Sequence, residues 1–360
     1  MTTAERVQAI ADYGFTDRQA RFLVLVMRHA GLCVKRQYAA FAGIKPGGEK
    51  CNAFFEKLVR RGCAVTSDCI HNRARLFHIH HKPLYHSIGD ADSRYRRAVP
   101  ARHAAERLMR LDAALISPDL EWLTTRSEKL TYLAARMAPE PSESPVEAPG
   151  QGRPDLFPGT FPIGVDATGR TALVYVVTVP WTDGFRSFLV GHLSLLAVMP
   201  AWTLRVVFPL SLQRVVPDYE RAAHDELESH LNAQTRNDLQ WYFFHCRRRT
   251  QWSEYKGPGA DAVKARFARC TKAFAGPRFT RLYRRWLAEG DTALAPIPTA
   301  VSEAFTSGRG ALDLRLLPHT YEHLSPLVSC RRTRRRRITA DAEEGDEPRR
   351  GVNPALNPAP

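Results

Sequence analysis

The first 62 residues carry apolar side chains at spacings of three and four, a pattern typical of amphipathic helices. A capping-box sequence at 16–19 opens the first predicted helix, which runs to about His29. A short helix follows over 35–42, and a glycine-rich turn separates it from a helix predicted over 49–61. One face of this last helix is apolar, which predicts that four side chains are buried: Cys51, Phe54, Phe55 and Leu58.

Two short apolar runs after the third helix predict a hairpin. They cover 63–66 and 75–80 and flank a polar turn. Helices followed by such a hairpin are typical of a winged helix-turn-helix, in which one helix enters the major groove of duplex DNA. Residues 1–90 are therefore expected to form a DNA-binding domain.

Eight side chains of this domain are candidates for DNA contacts. Those expected to meet bases or phosphates are Lys50, Asn52 and Lys57. The other candidates are Lys45, Arg60, Arg61, Arg73 and Arg75. Among these, Arg60, Arg61 and Arg73 are expected to contact the DNA backbone. Two alternatives stay open: a small helical domain that packs against something else with its charges solvated, or an assembly protein whose winged helix binds another protein.

Beyond residue 90 the pattern predicts strands that alternate with helices, a layered α/β domain over 91–245. It starts with a strong helix from Pro100 through Ile116, a short strand at 120–123 and a helix at 127–137. Residues 138–152 are rich in Pro, Glu, Ser and Gly and predict a flexible loop. The elements predicted after it are a hairpin (161–165 and 172–179), a helix (185–198), a strand (202–208), a helix (219–231) and an edge strand (240–245).

The charge of the chain agrees with a polyanionic partner. The 360 residues carry a formal net charge of +15, and no apolar run reaches the roughly 20 residues that a bilayer requires. Seven cysteines without paired spacing suit a reducing compartment. Cysteine and histidine residues at 63–81 match no common zinc spacing. We therefore expect a soluble, cytoplasmic protein with no membrane partner.

The C-terminal third is the most basic part of the chain. Residues 246–329 are expected to form a mainly helical extension, in which 278–286 interleaves arginines with aromatic residues. This segment is either a nucleic-acid surface or an amphipathic helix with solvated arginines. Residues 330–360 are expected to be a disordered tail, whose arginine run at 331–337 would attract DNA or RNA irrespective of sequence.

The N-terminal sequence resembles the replication-relaxation family of bacterial plasmids and integrative elements. The resemblance is carried by TDRQARFLVLVMRHAGLCVKRQYAAFAG, FFEKLVRRGCAV and RLFHIHHKPLYHSIG, and continues through RHAAERLMRLDAALI and the Gly-Arg-Pro-Asp at 152–155. It covers about 12–210 and implies a winged helix joined to a restriction-nuclease-like α/β domain. It also implies a role in replication, transfer or regulation of a mobile element, beside other replication or transfer proteins. The oligomeric state stays open, with a homodimer among the alternatives.

The same resemblance implies where a nuclease metal site would lie. Active nucleases of this fold hold Mg²⁺ with an Asp on one strand and an acid-x-Lys sequence on the next. Asp155 fits the first position, but the strand at 171–178 has neither a carboxylate nor a lysine. We therefore expect a degenerate nuclease-like domain with no catalytic residues and no cofactor. The alternative is a Mg²⁺-dependent DNA nuclease that uses Asp155 and Asp166.

Overall fold

The computed structural model describes residues 1–69, 74–98, 100–137, 161–228, 231, 233–248, 257, 259–294 and 299–324. These residues form 13 α-helices and two β-sheets, a mixed α+β architecture. One sheet has three strands and lies near the N-terminus, and the other has five.

The N-terminal unit, residues 1–90, combines five helices with the three-stranded sheet. In chain order its elements are α1 (Thr3–Ala11), α2 (Asp17–His29), β1 (Leu32–Cys33), α3 (Lys35–Ala42), α4 (Glu49–Arg60), β2 (Ala64–Asp68), β3 (Arg75–Ile79) and α5 (Lys82–Ser87). Strand β3 lies between β1 and β2 and pairs antiparallel with both. The three helices and the hairpin predicted from the sequence are confirmed, with bounds that differ by one or two residues.

Local sequence explains why these helices start where they do. The Gln19 amide donates to Thr16 Oγ1 and the Thr16 amide donates to Gln19 Oε1, so the capping box predicted for α2 is confirmed. A second capping box, formed by Thr2 and Glu5, starts α1. Helix α1 has no counterpart among the predicted elements, because it buries only Val7 and Ile10 and its apolar pattern is weak.

An aromatic cluster fixes α4 against the rest of the N-terminal unit. The rings of Tyr38 and Phe54 lie 4.2 Å apart, as do those of Phe55 and Phe77, and Phe22 lies 6.1 Å from Phe54. The four side chains predicted to be buried on α4 are 0–1% exposed, which confirms that prediction. The cluster therefore joins α2, α3, α4 and β3 and sets which face of α4 remains outside.

The second sheet follows the order expected of a layered α/β domain. Its elements are α6 (Ala101–Leu115), β4 (Glu121–Leu123), α7 (Arg126–Met137), β5 (Ile163–Val165), β6 (Thr171–Val176), α8 (Asp183–Val198), β7 (Trp202–Phe208) and α9 (Val216–Leu227), with β8 (Gly310–Leu316) added from farther along the chain. The strand order is β4-β5-β6-β7-β8. Strands β4, β5 and β6 pair antiparallel, whereas β6, β7 and β8 pair parallel.

Four helices of the described residues separate α9 from the last strand, and the first three form an insertion. This helical insertion consists of α10 (Ala233–Arg247), α11 (Ala260–Ala273) and α12 (Pro277–Glu289), and α13 (Thr299–Thr306) then leads back to β8. The edge strand predicted at 240–245 is wrong, because these residues lie within α10. Four consecutive aromatic residues at 241–244 hide the helical period there. Strand β8 is a further difference, since it lies in the stretch that the sequence predicted to be mainly helical.

The N-terminal unit and the five-stranded sheet share a hydrophobic core. Leu32 and Leu76 of the small sheet pack in one cluster with Leu108 of α6 and with Val174 and Val207 of the large sheet. This common core holds the two parts of the fold together by burial rather than through a linker alone.

Ion pairs reinforce this junction. Arg28 Nη2 lies 2.6 Å from Glu128 Oε1, and Arg6 also reaches this carboxylate at 2.8 Å. Burial by itself would raise the pKa of Glu128, but hydrogen bonds from the Thr125 and Thr124 amides and the charge of Arg28 lower it to about 2. The carboxylate of Glu128 therefore stays ionised and ties α1 and α2 to α7.

Several predicted features fall outside the described residues. They include Arg73, Asp155, the predicted loop at 138–152 and the tail at 330–360. Within the described parts of the chain, no helix combines the length and the apolar character needed to cross a membrane.

Candidate nucleic-acid interface

Helix α4 presents a continuous exposed line opposite its buried stripe. Because a helix has 3.6 residues per turn, positions i, i+4, i+7 and i+11 lie along one line of its surface. On α4 these exposed positions are Glu49, Ala53, Glu56 and Arg60. We refer to these four residues as the outer line of α4.

Basic side chains flank the N-terminal end of α4. Lys45 and Lys50 are exposed, and neither ammonium group makes a hydrogen bond or ion pair within the described residues. Gly47 adopts a φ of 74°, a left-handed conformation that favours glycine, and the N-cap residue Gly48 has no side chain to bond the first amides. The first amides of α4 and two lysines therefore meet at one electropositive point.

Asn52 holds the turn before α4. Its Nδ2 donates to the Gly47 carbonyl at 2.9 Å, and its Oδ1 accepts from Lys35 Nζ at 2.6 Å. The side chain is partly buried. Both ends of the amide are thus already bonded within the protein, which weighs against its predicted contact with a base.

Lys57 and Arg61 hold the loop between α1 and α2. Lys57 Nζ donates to the Gly14 carbonyl at 2.6 Å, and Arg61 Nη1 donates to the Tyr13 carbonyl. Both cations also lie over the Phe15 ring, at 5.1 and 5.6 Å from its centroid. Desolvation, followed by the charges of Arg61 and Arg60, lowers the pKa of Lys57. Both side chains were predicted to contact DNA, but they are bonded to the protein itself. We call Lys57 and Arg61 the loop latch.

The remaining predicted arginines are more accessible. Arg60 is exposed and has no partner among the described residues. Arg75 lies opposite Asp68 in the β2–β3 hairpin, with 3.5 Å between Arg75 Nε and Asp68 Oδ1, and both side chains are 66% exposed. A pair this exposed contributes little and opens readily. The hairpin thus keeps Arg75 available to a ligand.

The structure brings together a smaller set than the sequence proposed, and it adds residues that the sequence analysis passed over. Lys50 and Arg60 lie on the solvent side of α4, and Lys45 lies in the turn before it. Ala53 and Glu56 lie between them on the outer line, a position that the helical period alone could have shown. A search for basic and amide side chains misses them, although alanine can contact a thymine methyl group and a glutamate can accept from cytosine.

Asp166 has a structural task in the hairpin between β5 and β6. Its Oδ1 accepts from the Thr168 hydroxyl at 2.6 Å, from the Thr168 amide at 2.9 Å and from the Arg170 amide at 3.0 Å. The bond from the Thr168 hydroxyl is the largest of the causes that lower the pKa of Asp166. Strand β6 offers no carboxylate or lysine beside it. Among the described residues no group of three or more His, Cys, Asp or Glu side chains could hold a metal ion.

Helix α12 uses its aromatic residues for packing. Phe279, Leu282, Tyr283 and Trp286 pack into the small core of the helical insertion. Burial lowers the pKa of Arg278 and of Arg281, which lie near the acidic Glu226. Of the two alternatives left open for 278–286, the amphipathic helix fits these contacts better, but Arg278 and Arg281 are partly buried rather than solvated.

Comparison with models of protein families, with curated proteins and with solved structures finds no match in any of the three. The function of the interface is accordingly inferred from its own residues.

Proposed function

We propose that the chain binds duplex DNA, with α4 in the major groove and the β2–β3 hairpin beside it, in the manner of a winged helix. The order α2-β1-α3-α4-β2-β3 and the strand order β1-β3-β2 support this proposal. A winged helix places its recognition helix directly before the hairpin, which is the position of α4. The buried aromatic stripe of α4 holds the helix by one face and leaves the other for a ligand.

The observation that carries the proposal is the set of unpaired cations along α4. Lys50 and Arg60 are exposed, and ten residues separate them, which corresponds to about 15 Å along the helix axis. The major groove is about 12 Å wide. Cations at the two ends of α4 can therefore reach phosphates on both sides of the groove, while Ala53 and Glu56 face the base edges between them. Lys45 and the first amides of α4 add a further phosphate contact.

The five-stranded sheet is proposed to be a nuclease-like scaffold without nuclease chemistry. Three antiparallel strands, a helix and a parallel strand follow one another, which agrees with the fold that the sequence resemblance implies. The bonds that occupy Asp166 and the absence of acid or lysine on β6 support the loss of chemistry. The resemblance makes replication, transfer or regulation of a mobile element the setting that we propose for DNA binding.

Fluorescence anisotropy with a labelled duplex tests DNA binding in the full chain. Each phosphate contact that is removed should lower the slope of log affinity against log salt by about 0.9 between about 50 and 200 mM salt. We expect this loss for Lys50→Ala and for Arg60→Ala, and their sum for the double variant. Lys264→Ala removes an exposed lysine from α11 and should bind as the wild type does. Unchanged affinity and slope in a folded double variant would contradict the proposal.

Incubation of plasmid DNA with the protein and Mg²⁺ or Mn²⁺ tests the scaffold. We expect the plasmid to remain intact. Cleavage that disappears in Asp155→Ala or Asp166→Ala would show that the domain is an active nuclease.

A further inference from the structure

The outward face of α10 is aromatic where an amphipathic helix would be polar. Trp241, Phe244, His245 and Arg248 stand at positions i, i+3, i+4 and i+7 and so form one stripe. The opposite face is buried, with Leu239 and Phe243 at 0–1% exposure. Phe244 keeps 44% of its surface exposed. We call these four residues the aromatic stripe.

Planar groups in the stripe are already stacked on one another. The rings of Trp241 and His245 lie 4.0 Å apart with an angle of 29° between their planes. The Arg266 guanidinium of α11 lies 4.3 Å from the Trp241 ring centroid, and its Nη2 lies 2.7 Å from Asp238 Oδ1. The ion pair holds the guanidinium in place against the ring. Trp241, His245 and Arg266 are all partly exposed, so part of this planar stack is accessible to a ligand.

Phe244 extends the stripe toward the end of α10. Its ring centroid lies 4.5 Å from the guanidinium carbon of Arg248 and 5.7 Å from the His245 ring. Arg248 and the neighbouring Arg247 are both exposed. An exposed ring is thus placed beside two cations, so that a flat group and an attached anion could be bound together.

The surroundings of the stripe are strongly basic. Residues 233–294, which hold the helical insertion, contain 13 Lys and Arg against 5 Asp and Glu. On α11 the exposed Arg269 follows Arg266 by three residues, so it lies on the same side of that helix. An anionic chain that crossed the stripe would therefore meet cations on both α10 and α11.

We infer that the aromatic stripe binds single-stranded nucleic acid. Unpaired bases stack on Phe244 and on the accessible part of the Trp241 stack, and the phosphates between them are bound by Arg248 and Arg269. A duplex is a poor occupant, because its bases are stacked on one another and present only their edges. This surface is separate from α4 and adds a second nucleic-acid contact to the one proposed above.

Anisotropy of the full chain with labelled oligo-dT and oligo-rU tests this inference. Loss of one stacked base weakens single-strand binding by about 5- to 150-fold, which we expect for Phe244→Ala. Arg248→Ala should lower the salt slope by about 0.7. Trp181→Ala removes an aromatic side chain that is 61% exposed outside the insertion, and it should bind as the wild type does. Higher affinity for one oligonucleotide would identify DNA or RNA as the source of the strand.

Two further variants keep the test decisive. Phe244→Tyr retains a ring on which a base can stack and should bind oligo-dT as the wild type does. The Lys50→Ala and Arg60→Ala double variant should keep its affinity for oligo-dT even if it no longer binds duplex. Unchanged single-strand affinity in Phe244→Ala, or equal competition by a blunt duplex in that double variant, would overturn the inference. Neither result depends on whether α4 binds duplex DNA.

Discussion

Helices α4 and α10 contain the same kinds of residue but expose different ones to solvent. Both combine phenylalanines with basic side chains. Helix α4 buries Phe54 and Phe55 to 1% exposure and shows charged groups, whereas α10 buries Phe243 and leaves Phe244 44% exposed. The phase of the aromatic residues around the helix therefore decides what each surface can bind. A charged face suits phosphates and base edges, and an aromatic face suits the flat sides of unpaired bases.

The largest expected effect is on the stability of the fold, which a phenylalanine substitution in α4 should lower far more than one in α10. Phe54 lies 4.2 Å from Tyr38 and 5.1 Å from Phe55, ring to ring, so Phe54→Ala leaves a cavity in the aromatic cluster. We expect the free energy of unfolding to fall by about 3–5 kcal/mol. Phe244→Ala removes the same side chain from the surface and should change this free energy by less than about 0.5 kcal/mol. Urea denaturation measures both, and equal losses would contradict the contrast.

The next effect concerns the ion pairs of Glu128, which hold the N-terminal unit that contains α4 against α7. Glu128→Gln leaves Arg28 buried without its charged partner, and we expect a loss of about 3 kcal/mol in the free energy of unfolding. The folded pKa of Glu128 is about 2, below the value of about 4.3 for an unfolded glutamate. Its contribution is therefore complete above about pH 4.3 and is lost as the pH falls toward 2. Denaturation as a function of pH should show this loss in the wild type and a smaller one in Glu128→Gln.

The loop latch gives a third contrast, between two lysines of α4. Lys57→Ala removes the bond to the Gly14 carbonyl and should lower the free energy of unfolding by about 1 kcal/mol. Lys50→Ala removes no bond within the described residues and should leave stability unchanged. Duplex affinity should respond in the reverse order, with the larger loss in Lys50→Ala. Thermal denaturation and anisotropy on the same preparations measure the two quantities. A larger loss of duplex affinity in Lys57→Ala than in Lys50→Ala would mean that Lys57 contacts the duplex.

The smallest effect concerns an acid on the outer line. Glu56 is exposed beside Arg60 and repels phosphates, so Glu56→Gln should strengthen non-specific duplex binding by about twofold at low salt. Because α10 lies elsewhere, the affinity for oligo-dT should not change. Matched anisotropy titrations with both ligands provide the check. An equal gain for both would mean that the two ligands share one surface.

Local patterns predicted the parts of the fold where one face of an element is uniformly apolar. The capping box of α2 and the stripe of α4 are of this kind, and both were predicted correctly. Helix α10 was not, because aromatic residues at 241–244 point to both faces and leave no helical period. Strand β8 pairs with β7 across about a hundred residues of sequence, and no local signal reports such a pairing.

For the candidate site too, the sequence predicted the features set by one helix and missed the contacts between distant segments. That Lys50 and Arg60 are exposed follows from the period of α4, and the structure agrees with it. The bond of Lys57 to Gly14 could not be foreseen, because the two are 43 positions apart and only the packing of α4 against the α1–α2 loop brings them together. The same holds for Asn52, whose partners include Lys35 on the preceding helix.

Acetylation of lysines, followed by mass spectrometry with and without saturating duplex, tests the central claim most directly. The claim is that the exposed side of α4 meets the duplex. We predict slower acetylation of Lys45 and Lys50 in the complex, and unchanged rates for Lys264 and Lys272, which are exposed on α11. Lys45 and Lys50 that react at the same rate in the presence of bound duplex would contradict the account.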